Sequence, residues 1–349
     1  MNNFSVNTIT RKNVERMKPY SSARDEFKDF NQKMIYLDAN ENPFFNGVNR
    51  YPDPKQLELK DAIAQNKGLR TENILIGNGS DEVLDLLFRA FCEPYIDNVI
   101  TLPPTYGMYD VLANLNAVEN IEVLLTPEFQ PDTKVILSSI SINTKIIFLC
   151  SPNNPSGNSF SDDSILELLY NFDGLVVIDE AYIDFSSKRS WLESLDKFPN
   201  LVVCQTFSKA YAMAGARIGL LFASTEIISI LNKIKPPYNI NVLSQEFALK
   251  KLKKNTLDFQ VKKIISERKK LVRLLSKISF IEQIMPSDAN FILIKVDDAN
   301  LRYQQFIENG IVVRNRSNQP LCENCLRITI GRKFENDKVL TLLKNLDHA

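Results

Sequence analysis

What most restricts the fold of this 349-residue chain is a succession of short, almost uninterrupted apolar runs, each closed by a polar turn. ILIGNG, VITLPP, IIFLCSPNNPSG, LVVIDEAY, LVVCQTFSKA and RIGLLFA follow in that order between Ile74 and Ala223, with helical patterns between them. Strands that are apolar at consecutive rather than alternate positions need cover on both faces, and intervening helices supply it. The expected architecture is therefore α/β, with a mainly parallel central sheet. SDEVLDLLFRAF is one covering helix, its inner side formed by Val83, Leu84, Leu86, Leu87 and Phe91.

The pattern changes at KPPYNIN, Lys235 to Asn241. Lysine-rich helices (LKKLKKN, VKKIISERKKLVRLL) then precede the alternating strands ANFILIKV, IVVRNR and LRITIG, which indicates a smaller α+β domain. The lysines there read as a solvated helix face. We expect residues 1–40 to be an arm belonging to the small domain, 41–242 the large domain, and 243–349 the small one.

Charge and cysteine content narrow the function. Lys+Arg and Asp+Glu both number 42, so no basic surplus speaks for nucleic acid. The N-terminal stretch MNNFSVNTITRKNVERMKPY lacks the apolar core of a signal peptide, and runs such as GLVVI and KIIFLC are too short to span a bilayer. A soluble cytoplasmic protein is expected. Cys92, Cys150 and Cys204 sit in or beside apolar segments, where a thiol packs as a small hydrophobe. Cys322 and Cys325 are formally a CxxC pair. Zinc would need two more ligands, yet the one histidine is His348; a redox pair would be expected to open a helix after a strand. A plain loop, with no metal, is the reading favoured.

Polar groups gather where strands end, which is where open α/β sheets bind ligands. Gly77, Gly79, Ser80 and Asp81 lie between a strand and a helix, a place for an anion on free amides or for a structural turn and cap. Glu82 stands where a dinucleotide fingerprint would have its third glycine. Asp179 follows four apolar residues, and a carboxylate at that depth needs a partner: a structural one, or a cation such as a protonated ring nitrogen. Tyr182, Asn153, Asn154 and Tyr106 occupy neighbouring strand ends. In TFSKAYAMAGARIG, Lys209 sits among hydroxyls and small residues with no carboxylate in the stretch, and Arg217 follows eight positions later. Such an amine suits nucleophilic attack on a carbonyl. An amine for an aldehyde, a carboxylate for a pyridinium, phenol and amide donors, an aromatic face and an anion cradle together match pyridoxal 5′-phosphate.

These segments also carry a resemblance. LDANENP, RYPDP, GNGSDE, PPTYGMY, SPNNPSG, VIDEAYIDF, TFSKAYAMAGARIG, PSDANFILI, GIVVRNR and LRITIG, in that order from Leu37 to Gly331, resemble the fold-type I pyridoxal-phosphate transferases. Within them they are most similar to the histidinol-phosphate aminotransferase family. The resemblance implies that Lys209 carries the cofactor as a Schiff base and shuttles protons, while Asp179 pairs with the pyridinium. Tyr182 and Asn154 would face the phenolate oxygen and Tyr106 would stack on the ring. Gly79, Ser80, Asp81, Thr206, Ser208 and Arg217 would surround the phosphate. Tyr51 is expected from the other subunit of a homodimer. Tyr20, Arg314 and Arg327 would grip the phosphate of the substrate, with Asn40 lining the pocket. The family pattern often has Thr at Ser156 and Leu at Phe207, and neither change removes a required group. The implied reaction moves the amino group of L-histidinol phosphate to 2-oxoglutarate, giving imidazole-acetol phosphate and L-glutamate, in histidine biosynthesis. A threonine-phosphate decarboxylase or an aromatic aminotransferase would use similar groups.

Overall fold

The computed structural model describes residues 4–20, 35–254 and 256–347, so His348 lies outside the described residues. The large sheet contains β1 (Ile74–Asn78), β2 (Asn98–Thr101), β3 (Glu119–Glu122), β4 (Thr144–Cys150), β5 (Leu175–Asp179), β6 (Leu201–Thr206) and β7 (Ile218–Phe222). Their order is β1-β7-β6-β5-β4-β2-β3. Only β7 is antiparallel to its neighbours; the remaining pairs are parallel, as the continuous apolar runs required.

Both faces of this sheet are buried. Ile147, Leu149, Val176 and Ile178 enter one core, while Ile146, Phe148, Leu175 and Val177 enter the other. Burying each such side chain stabilises the fold by roughly 1.5–3 kcal/mol, which explains why the central strands carry no polar side until they end. The helix Ser80–Phe91 sits on the second face, with Val83, Leu84, Leu86, Leu87 and Phe91 all buried.

The small sheet is antiparallel, in the order β10-β11-β9-β8, with β8 Ile281–Ile284, β9 Phe291–Val296, β10 Arg314–Asn315 and β11 Cys325–Thr329. Its strands alternate. Ile292, Ile294, Leu326 and Ile328 pack with Leu271, Leu275, Val339 and Leu343 of the helices Leu257–Leu275 and Lys333–Asp347. Phe291, Leu293 and Cys325 turn the other way, into a core shared with the large sheet. Lys262, Lys263 and Lys269 lie exposed on the solvent side of the long helix.

The start of the chain departs from expectation. The short helices Val6–Ile9 and Lys12–Arg16 pack on the large sheet's side, with Ile9 and Val14 buried beside Phe88 and Phe91. The Arg11 amide donates to the Ala90 carbonyl at 3.0 Å, and the Arg11 guanidinium pairs with Glu93 at 3.2 Å. Residues 6–16 therefore pack with the large domain rather than the small one: Ile9 and Val14 join its core, and the second arm helix lies against the helix Thr225–Ile234, where Lys233 donates to the Glu15 carbonyl at 3.0 Å. Farther on, Ala248 and Val261 join the large sheet's core, whereas Leu271 and Leu275 join the small one, so the long helix spans both. Among the described residues no helix is long and apolar enough to cross a membrane.

Candidate active site

The carboxyl ends of β1, β2, β4, β5 and β6, with the start of β7, surround one cavity of about 140 Å³. Ser80, Asp81, Tyr106, Asn154, Asp179, Tyr182, Thr206, Ser208, Lys209 and Arg217 all line it. Residues spread over the chain from Ser80 to Arg217 meet there because parallel strands all release their turns at one edge.

The wall at β1 is an uncapped helix start beside an arginine, an arrangement suited to an anion. Gly79 precedes the 12-residue helix and has φ +86, and no side chain caps the first amides of that helix. A Cβ on Gly79 would run into the guanidinium of Arg217, and a Cβ on Gly219 would run into the backbone of Gly79 and Ser80. The turn and β7 thus approach as only glycines allow, leaving helix-start amides beside a guanidinium. Thr206 Oγ1 accepts from the Ser208 amide at 3.1 Å, which folds the strand end so that both hydroxyl residues face the same cavity. Glu82, at the place of the missing glycine, accepts from the Asn78 amide at 2.5 Å and the Asn239 side chain at 2.7 Å, so it ties the turn rather than lining the cavity.

Asp179 ends β5 almost fully buried. The Tyr109 hydroxyl donates to one of its oxygens at 2.9 Å and the Ala181 amide to the other at 3.1 Å. Burial nevertheless dominates these donors and pushes the carboxyl up to about 6. A carboxylate so placed gains from a cation arriving in the cavity. Tyr106 donates to Asp81 at 2.9 Å, and Asp81 lies 3.7 Å from Arg217, so the Asp81 side chain orients the phenol beside the guanidinium. Burial raises the Tyr182 phenol, which therefore stays a hydrogen-bond donor at neutral pH.

Lys209 has no carboxylate within ion-pairing distance among the described residues; its amine lies 5.7 Å from the centre of the Tyr182 ring. Its side chain reaches solvent through the cavity mouth, yet the protein around the amine desolvates it, and burial is the first cause of a lowered pKa. The Arg327 charge comes next and Arg217 contributes less, with Asp179 and Asp81 opposing.

The small sheet meets the wall of the cavity at Asn154 and Tyr182. Arg314 on β10 stands directly opposite Arg327 on β11, and Arg327 donates to the Asn154 side-chain oxygen. Arg327 also lies over the Phe291 ring at 5.2 Å, and Tyr182 meets that ring edge-on at 5.1 Å. Asn153, by contrast, is consumed structurally, donating to the Pro104 carbonyl at 2.9 Å and to Ser156 at 2.8 Å.

Three expected residues stand apart within one chain. Tyr51 stacks on Tyr238 with ring centres 4.6 Å apart, and it shares a separate cavity with Asn40. Tyr20 is 71% exposed. Sequence reasoning missed Tyr109, which acts through its hydrogen bond to Asp179, and Phe291, which packs against Tyr182 and Arg327. Tyr109 lay inside the quoted segment PPTYGMY, three residues after Tyr106, and that helical spacing was the available signal. Cys322 and Cys325 are both buried free thiols at the turn into β11.

A two-sheet fold with an unpaired amine, a buried carboxylate and an anion cradle at the strand ends defines a class of protein, and comparison agrees. Residues 20–343 match the family model for aminotransferase class I and II, and the chain belongs to that family. More particularly, it is 69% identical over 346 residues to a histidinol-phosphate aminotransferase of Flavobacterium psychrophilum, covering 99% of this chain and all of that one. Among solved structures it is similar to the histidinol-phosphate aminotransferase of Clostridium acetobutylicum (TM-score 0.80, 25% identity, 86% of this chain and 91% of that one). The Sinorhizobium meliloti histidinol-phosphate aminotransferase, solved with pyridoxal 5′-phosphate, shares the fold (TM-score 0.77, 23% identity, 85% and 84% covered).

Proposed function

We infer that this aminotransferase transfers the amino group of L-histidinol phosphate to 2-oxoglutarate, with pyridoxal 5′-phosphate held in the Lys209 cavity. The observation that carries the reading is the convergence of a lysine without a carboxylate partner, a buried aspartate and a glycine-lined anion cradle on one cavity. The close relation to the Flavobacterium psychrophilum enzyme supports the substrate.

The residues fit the cofactor on physical grounds. The cradle at Gly79 and Ser80 leaves helix-start amides and Arg217 for a phosphate. Asp179, raised to about 6 by burial, is relieved by a ring N–H⁺. When bound, the cofactor supplies the aldehyde and the electron-withdrawing ring that accepts an electron pair from the substrate's α-carbon. Lys209 would hold the aldehyde carbon, and its Nζ, freed when the substrate amine takes its place, would remove the proton from the substrate's α-carbon and deliver it to the former aldehyde carbon of the cofactor. Its lowered pKa favours the neutral amine that this task needs. Asp179 keeps the ring nitrogen protonated, and its orientation is fixed by Tyr109 and Ala181. Tyr182 and the Asn154 amide group would be the donors to the ring oxygen; Arg327 donates to the Asn154 side-chain oxygen, which fixes that amide with its NH₂ pointing away from the guanidinium. Tyr106 gives an aromatic wall.

Arg314 and Arg327 bind the substrate's phosphate and, in the second half-reaction, a carboxylate of 2-oxoglutarate, with Tyr20 and Asn40 completing the pocket. Tyr51 reaches the cofactor phosphate from a second copy of the chain. Phe44, Phe45, Val48 and Tyr51 are all exposed, and Val48 and Tyr51 share a cavity with Leu243, which supports a surface for that copy. The enzyme on this reading is a cytoplasmic homodimer.

The test is product analysis. Purified holoenzyme given L-histidinol phosphate and 2-oxoglutarate should release L-glutamate without CO₂. Release of CO₂, or faster turnover of an aromatic amino acid than of histidinol phosphate, would overturn the substrate assignment.

A further inference from the structure

Beside the two arginines already assigned stands a third. Arg316 leaves β10 with its amide bonded to the Cys325 carbonyl at 2.8 Å. Arg314 and Arg316 are two residues apart on an extended segment, and Cys325 and Arg327 are two apart on the strand it pairs with. Side chains two residues apart share a face. That face is the one that turns Cys325 and Phe291 towards the large sheet, opposite to Leu326 in the small domain's own core.

The guanidinium of Arg316 is out of place as a structural strut. It is half-buried, and its Nε is buried with no hydrogen-bond partner. No carboxylate pairs with it among the described residues, and its first charged neighbours are Arg327 and Arg314. Burial and these like charges bring it down to about 10, so it remains a cation at neutral pH. The next residue, Ser317, also has a buried hydroxyl without a partner. A desolvated cation beside two others is unfavourable unless an anion offsets it, and the described residues supply none. The Tyr182 ring, a wall of the Lys209 cavity, is also among its electrostatic neighbours.

We propose that Arg316 is a specificity residue, a third guanidinium that reads the doubly charged phosphate of the amine substrate together with Arg314 and Arg327. The inference rests on the reading of the reaction given above. Three cations facing one terminus favour a dianion over a neutral hydroxyl, and planar forks suit phosphate oxygens better than an ammonium does.

Steady-state rates of the holoenzyme with L-histidinol phosphate and with L-histidinol test it, for the wild type, Arg314→Ala, Arg316→Gln and Arg316→Lys. Arg316→Gln should lower kcat/KM about ten- to a hundredfold for the phosphorylated amine, mainly through KM, and by less than about threefold for L-histidinol. Arg316→Lys should recover part of the loss. Inorganic phosphate gives a readout apart from turnover: its stabilisation of the holoenzyme against heat should shrink in Arg316→Gln. Without phosphate the variant should melt no lower than wild type, because like-charge repulsion has been removed. Equal losses for both amines, or a lowered melting point with an unchanged phosphate effect, would assign Arg316 a structural role and overturn the proposal. Wild-type enzyme that does not prefer the phosphorylated amine would instead refute the parent reading. Selectivity lost in Arg314→Ala and kept in Arg316→Gln would sink this inference alone.

Discussion

Replacing Asp179 by asparagine should stabilise the cofactor-free protein while it disables the enzyme. In the folded chain burial raises the Asp179 carboxyl from 3.8 to about 6, against donation from Tyr109 and Ala181. An acid whose folded pKa is raised contributes stability that is full below its unfolded value and is lost as pH rises through the folded one. The window is therefore roughly pH 4 to 6. About two units at ~1.4 kcal/mol each make the ionised side chain cost about 3 kcal/mol at pH 7.5. Asparagine keeps the shape and avoids the charge. With an unfolding entropy of ~2.1 cal/mol/K per residue, that difference corresponds to about 4 °C for a chain of this length. The assay is thermal unfolding of apo wild type and apo Asp179→Asn across pH. The variant should melt about 4 °C higher at pH 7.5, with the gap shrinking to about 1 °C near pH 4.5. With pyridoxal phosphate bound the order should reverse, since the carboxylate then has a cation to face. An apo variant that melts below wild type at pH 7.5, or an offset independent of pH, would refute the reasoning.

Other perturbations follow from the same geometry. Arg314→Ala should cost about 1.5–3 kcal/mol of binding for L-histidinol phosphate and much less for L-histidinol, read from kcat/KM for both amines; equal losses would remove Arg314 from the phosphate grip. In Gly219→Ala the added methyl meets the Gly79 and Ser80 backbone, so the cradle must shift. Cofactor retention after dialysis, followed by absorbance, should fall by tenfold or more, at least the worth of about one charged hydrogen bond. Retention at the wild-type level would show that the close approach of β7 is not needed.

The central strands were legible because burial on both faces demands continuous apolar runs, and β1, β4, β5, β6 and β7 have them. β3 and β8 were not. Glu119 and Glu122 in β3, and Glu282 and Gln283 in β8, are exposed at sheet edges, where pairing on one side imposes little on composition. IVVRNR looked like a full strand, yet only Arg314 and Asn315 pair, and Val312 is 83% exposed. The docking of the arm on Ala90 and Glu93 depends on a groove formed by distant residues, which local pattern cannot report. The residues that meet at the strand-end cavity stood out in the sequence since each sits in its own motif. Tyr109 reaches Asp179 across 70 positions, and Phe291 meets Tyr182 from the small sheet, so these contacts exist only in the packed molecule.

The central claim is that Lys209 carries the cofactor in the cavity at the strand ends, and peptide mapping after borohydride reduction tests it most directly. Reduction fixes pyridoxal phosphate to whichever amine holds it, and digestion with mass spectrometry locates the tag. The account predicts a single tagged peptide containing Lys209, lost in Lys209→Ala, which should still retain the cofactor non-covalently through Arg217 and the helix-start amides while multiple-turnover transamination disappears. A tag on another lysine, or sustained turnover by Lys209→Ala, would contradict it.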